Sequence, residues 1–158
     1  MSIISLRTSS SLKPTTYAKN QIAKSMYWKG KNFLQAAILL RQHGGNEYIV
    51  LHLLCQGIEI VLKALLLIKD FDTYKPRIKS EFGHDLETLV SEVLGQFGLK
   101  PLRPALASEL HELNIMYSKH LLRYSSSYDL LVNPSTIQSD LIFSRILAAI
   151  KLTDSTYR

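Results

Sequence analysis

Apolar side chains recur along this chain at three- and four-residue spacing, with no sustained alternation of the kind a strand needs. Between Tyr17 and Arg41 they fall at Ile22, Met26, Phe33, Ala37 and Leu40, which is the period of one helix face. Gln42-His43-Gly44-Gly45-Asn46 breaks that helix, and Asn46 suits the cap of the next. The second helix, Glu47 to Lys69, is apolar around most of its circumference and so belongs in the middle of a bundle. Asp70 to Phe82 reads as a polar, proline-containing loop. Asp85 opens a third helix, carried by Leu86, Leu89, Val90 and Val93 and stopped near Gly98. A fourth is predicted from Leu102 to Tyr124. Ser125-Ser126-Ser127 and Asn133-Pro134 bracket a loop, and Pro134 suits the first turn of a last helix. That helix, Ser135 to Leu152, carries Ile137, Leu141, Ile142, Ile146 and Ile150. Residues 1–16, rich in Ser and Thr, read as a flexible arm and 153–158 as a tail, on either side of a bundle at 17–152. The fold class is all-α: an antiparallel, up-and-down bundle of four to five helices.

Composition narrows the function classes. The 158 residues suit one domain, and 46% hydrophobic with 20% charged residues is a globular balance. Cys55 is the only cysteine, which excludes an internal disulfide and a thiolate zinc site and favours a reducing compartment. Its place in the apolar second helix makes it a buried, inert thiol. The first sixteen residues lack the continuous apolar run of an export signal. Ile49 to Ile68 is long enough to span a bilayer, but His52, Gln56, Glu59 and Lys63 interrupt it at high cost in lipid. A cytoplasmic protein without membrane contact is expected. The net charge of +6 is unevenly spread, because residues 1–46 hold seven Lys and Arg and no acid. An acidic partner such as nucleic acid would therefore meet the first helix.

Two stretches resemble the HEPN superfamily of helical bundles. One is Leu53-Leu54-Cys55-Gln56-Gly57-Ile58-Glu59-Ile60-Val61-Leu62-Lys63-Ala64-Leu65-Leu66, and the other Gly83-His84-Asp85-Leu86-Glu87-Thr88-Leu89. The family pattern places a glutamate and a lysine in one helix and opens a later short helix with HDL. Leu113-Asn114, Tyr117 and Arg123-Tyr124 add a weaker match in the fourth helix, and the likeness covers about residues 17 to 150. It implies a homodimer that binds nucleotide or RNA, often beside a nucleotidyltransferase-like partner in a toxin–antitoxin or defence setting; no cofactor is implied. The residues also have structural reasons of their own. Glu59 and Lys63 are four apart, in the favourable order for an intrahelical pair worth about 0.2–0.5 kcal/mol. Asp85 can cap a helix N-terminus, and His84 beside it can orient the loop.

Many HEPN proteins are metal-independent RNases that use an arginine and a histidine on a late helix with four to six residues between them. The histidine moves the ribose 2′-hydroxyl proton while arginine stabilises charge on the phosphate. Only Arg77 and His84 match that spacing, and they lie in the HDL region rather than on a late helix. Arg103 and His111 fall just outside it, and neither Arg123 nor Arg145 has a histidine after it. The standard nuclease motif is therefore missing or degenerate. On one unbroken helix, Leu106, Leu110, Leu113, Tyr117, His120 and Tyr124 form a core stripe with His120 at its edge, and His111 points the opposite way. His120 then reads as a boundary histidine satisfied by a hydrogen bond, and His111 as a solvated one. Asn114, Tyr117, His120 and Arg123 are the best polar cluster for a nucleotide or RNA site. No paired metal ligands at helical spacing and no glycine-rich phosphate loop occur.

Lys24, Tyr27, Trp28 and Lys31 share one face of the first helix. Alternating cations and rings can hold phosphates while stacking bases. The same stripe can equally pack under another helix or a second subunit. Three functions stand open: a binding module for nucleotide or RNA at Asn114, Tyr117, His120, Arg123, Lys24, Lys31 and Trp28; a metal-independent RNase built from His84, His111, His120, Arg77 or Arg123; and a purely structural interaction bundle.

Overall fold

Four helices of this chain begin where a short polar side chain takes up the first free N–H groups. Thr15 accepts from Ala18 N, Asn46 from Tyr48 and Ile49 N, Asp70 from Thr73 N and Asp85 from Thr88 N. The computed structural model describes residues 13–123 and 133–156. The helices are α1 (Thr16–Gln42), α2 (Glu47–Lys69), α3 (Phe71–Arg77), α4 (Leu86–Gln96), α5 (Pro104–Ser118) and α6 (Asp140–Thr156), and no strand occurs among the described residues. A π-helical turn follows α3 at Ile78–Phe82, and a 3-10 turn precedes α6 at Pro134–Thr136. The all-α bundle expected from the sequence is the fold observed.

α2 is the central rod, packed by α1, α3, α4 and α5. It is the one described helix long and apolar enough to cross a membrane, and 61% of its most apolar window is buried inside the bundle, as in a core helix. α1 runs antiparallel along it, with Gly30 against Val61 and Leu34 against Gly57. Glycine is required at both crossings. A Cβ on Gly30 would sit 2.8 Å from the Val61 backbone nitrogen, and one on Gly57 would sit 3.0 Å from that of Leu34. Val50, Leu51, Leu54, Cys55, Ala64 and Leu66 are fully buried along α2. At the far end of the chain, Glu109 on α5 accepts from Ile142 N and Arg41 donates to Ser139 Oγ, which fixes the start of α6.

Four sequence expectations need correction. Asp70–Phe82 is not a loop but α3 and the π turn, because Tyr74 and Phe82 bury their rings at 2% exposure in a second apolar cluster with Leu66, Leu67 and Leu89. The fourth helix stops at Ser118 rather than Tyr124, closed by a left-handed residue at His120. The last helix starts at Asp140, since Pro134 begins a separate 3-10 turn. It also continues through 153–156, so the tail expected at 153–158 is helical as far as Thr156. The Ser125–Ser127 loop and most of the arm at 1–16 lie outside the described residues, although Thr16 is already helical.

Candidate functional site

Four polar residues interrupt α2, and they are not scattered. At 100° per residue His52, Gln56, Glu59 and Lys63 fall within an arc of about 60°. This stripe faces the start of α4 and the end of α5. Glu59 and Lys63, 5% and 6% exposed, form an ion pair at 2.7 Å. Lys63 also donates to the Gly83 carbonyl at 2.6 Å, so the pair pins the loop that carries His84. The second carboxylate oxygen of Glu59 lies 2.8 Å from His84 Nδ1 and accepts from the Tyr117 hydroxyl, which also lies 3.1 Å from the Gln56 amide oxygen.

Burial pushes the Glu59 carboxyl up, but hydrogen bonds from Lys63, Tyr117 and His84 outweigh it and hold the group below its ordinary range. Burial and then the Glu59 carboxylate push the Tyr117 hydroxyl up, so it remains a donor. An ionised carboxylate only accepts, which makes His84 Nδ1 the donor and leaves Nε2 on the outer side of the ring. The His84 side chain is 42% exposed.

His120 faces it. The N–H of His120 bonds to the Tyr117 carbonyl and that of Leu121 to Met116, the paired bonds of a Schellman motif. Glycine ordinarily holds the left-handed position of that motif, yet here His120 takes φ 58°, the one positive φ outside glycine among the described residues. The exchange costs about 1 kcal/mol. What it achieves is placement: the His120 and His84 rings lie 5.3 Å apart at 78°. His84 and His52 also flank the Tyr117 ring, at 5.6 and 5.9 Å. Burial first, then the nearby Arg123 and His120 charges, lower the pKa of His52 and keep its imidazole neutral. Its Nδ1 is buried without a hydrogen bond. Arg123 is exposed and acts electrostatically on both His52 and Tyr117.

The structure thus brings together His84, His120, Arg123 and Tyr117 and adds His52, which the sequence showed only as an interruption of an apolar run. Its helical register with Glu59 and Lys63 was the available signal. His120 is exposed in a turn rather than at the edge of a helical core stripe, because α5 ends before it. Asn114 is 8% exposed and engaged elsewhere: its oxygen accepts from Leu86 N at 2.7 Å and its amide donates to Asp85 and Glu87, clamping α5 to α4. His111 lies apart, 3.0 Å from Glu87 on the α4–α5 surface. Arg77 is held by Glu81 and Glu92 over the Tyr74 and Phe82 rings. On α1, Tyr27 is buried, whereas Trp28 is 53% exposed with Lys31 Nζ 4.6 Å from its ring centre; Lys24 is exposed. No group of three or more side chains placed to hold a metal ion occurs among the described residues.

An exposed arginine and two exposed imidazoles, backed by a buried carboxylate, can bind an oxyanion and move a proton. A comparison with protein-family models, curated proteins and solved structures finds no match to this chain.

Proposed function

We propose that this cluster receives the phosphate of a nucleotide or RNA and that the protein is a HEPN-like binding module, homodimeric and cytoplasmic, without the standard RNase motif. The observation that carries this is the convergence of His52 from α2, His84 from the loop before α4, and His120 and Arg123 from the turn after α5. The likeness of Glu59, Lys63 and the Gly83-His84-Asp85-Leu86 element to HEPN bundles supports the same class. It adds a nucleotidyltransferase-like partner and a toxin–antitoxin or defence setting. Calorimetric titration with adenosine monophosphate and with a short RNA tests the site. Arg123→Ala should weaken binding about tenfold or more, the worth of a charged hydrogen bond. Unchanged affinity in that variant, with loss in His111→Ala, would contradict the assignment.

A second function, metal-independent RNA cleavage, is favoured by one particular of the cluster. His84 is oriented by a buried carboxylate, as a general base can be, and the His120 ring lies 5.3 Å from it, where it could serve as the acid. Incubation with RNA in the presence of a chelator separates the two functions. Cleavage that disappears in folded His84→Ala and His120→Ala variants marks an enzyme, and binding without cleavage marks a module.

A further inference from the structure

The outer face of α1 combines rings and cations away from the cluster. At 100° per residue Tyr17, Gln21, Lys24, Trp28, Lys31 and Gln35 share a stripe about 80° wide. Tyr17 is 74% exposed and Trp28 53%. Tyr27 packs inward and meets the Trp28 ring edge-on at 6.3 Å, and Lys31 lies over that ring, so the indole is held rather than loose. Helix α1 has no acidic residue. Lys19 is met by Asp72 and Arg41 by Glu47, but Lys24 and Lys29 have no carboxylate partner among the described residues. A helix that docks on a protein groove or lies in a membrane surface needs a continuous apolar stripe. Here amides and lysines separate the rings. That pattern suits a partner that is anionic along its length and offers flat unpaired faces at intervals.

We propose that the outer face of α1 is a track for single-stranded nucleic acid, with unpaired bases stacked on Trp28 and Tyr17 and phosphates held by Lys24 and Lys31. Stacking of this kind tolerates any base, because every base has a π-face, and a duplex hides those faces. Tyr17 and Trp28 are about 16 Å apart along the helix axis, so the ligand is a strand rather than a mononucleotide. The track uses none of the cluster residues and stands whether or not the cluster binds phosphate.

Trp28 is the only tryptophan, so its emission reports on the track directly. The full-length protein is titrated with an oligoadenylate of about twelve nucleotides, with a duplex of that length, and with phosphatidylserine vesicles. The single strand should quench Trp28 saturably, with a log–log salt slope of about −1.4 for two lysines. Trp28→Ala should weaken binding of a labelled strand about tenfold, and Trp28→Phe should largely restore it. Lys24→Ala with Lys31→Ala should flatten the salt slope. Arg123→Ala should leave the quenching unchanged while weakening adenosine monophosphate binding at the cluster about tenfold, so the two sites fail separately. Absence of quenching by the single strand, equal quenching by the duplex, or a response confined to vesicles overturns the proposal.

Discussion

Helix α2 meets the bundle on two faces, and different physics closes each. Towards α1 it offers Gly57 and Val61, and the contact is one of shape: Gly30 and Gly57 let the two backbones approach. Towards α4 and α5 it offers His52, Gln56, Glu59 and Lys63, and the contact is a chain of hydrogen bonds through His84 and Tyr117. The first face makes the fold and is indifferent to protons. The second also makes the fold, through Lys63 and Gly83, but it holds two imidazoles and an arginine at the surface. One helix therefore supplies both scaffold and candidate chemistry, on opposite sides.

The largest expected effect comes from breaking the polar face. Glu59→Gln keeps the shape but leaves Lys63 buried without its counter-charge, and urea denaturation should show a loss of about 3–5 kcal/mol. A loss below about 1 kcal/mol would show that the pair is not structural. Next is the apolar seam. Gly57→Ala forces a methyl against Leu34 and should cost about 1–3 kcal/mol, by the same amount in mildly acid and mildly alkaline buffer. A pH-dependent cost would blur the contrast between the two faces.

Two smaller effects sharpen it. His120→Gly relieves the left-handed strain, so the variant should be as stable as the parent or about 1 kcal/mol more so, yet bind nucleotide more weakly. A destabilised variant would make His120 a structural residue. The smallest effect is in the pH profile. The folded pKa of His52 lies below its ordinary 6.5, so the unfolded chain takes up the proton first and stability falls as pH drops below 6.5. The Glu59 contribution, with a folded pKa below 4.5, is lost only in stronger acid. His52→Leu should flatten the upper part of the thermal-midpoint profile and leave the lower part alone.

Much of the fold was legible in residue order because helix caps and apolar period are local signals. Asn46 and Asp85 mark their helix starts, and α2 runs between the bounds its pattern indicates. The signal for α3 was weaker: Phe71, Tyr74, Ile78 and Phe82 keep helical spacing, but Pro76 and the polar residues between them suggest a loop. The early end of α5 was hidden for a different reason. A Schellman turn usually declares itself through glycine, and His120 stands in its place. That one residue moves His120 from a core edge to a solvent-facing position beside His84, so the error in the helix boundary was also the error in the site. The stripe of His52 with Glu59 and Lys63 was readable from register alone. Its meeting with His84 and Arg123 was not, since it depends on how three separated segments pack.

Histidine-resolved NMR tests the cluster most directly, because the chain has five imidazoles and each serves as a probe. On titration with adenosine monophosphate, His52, His84 and His120 should shift together along one saturation curve, while His43 on its own helix end and His111 beside Glu87 stay still. Shifts at His43 or His111 with none at His84 and His120 would contradict a phosphate site in the cluster.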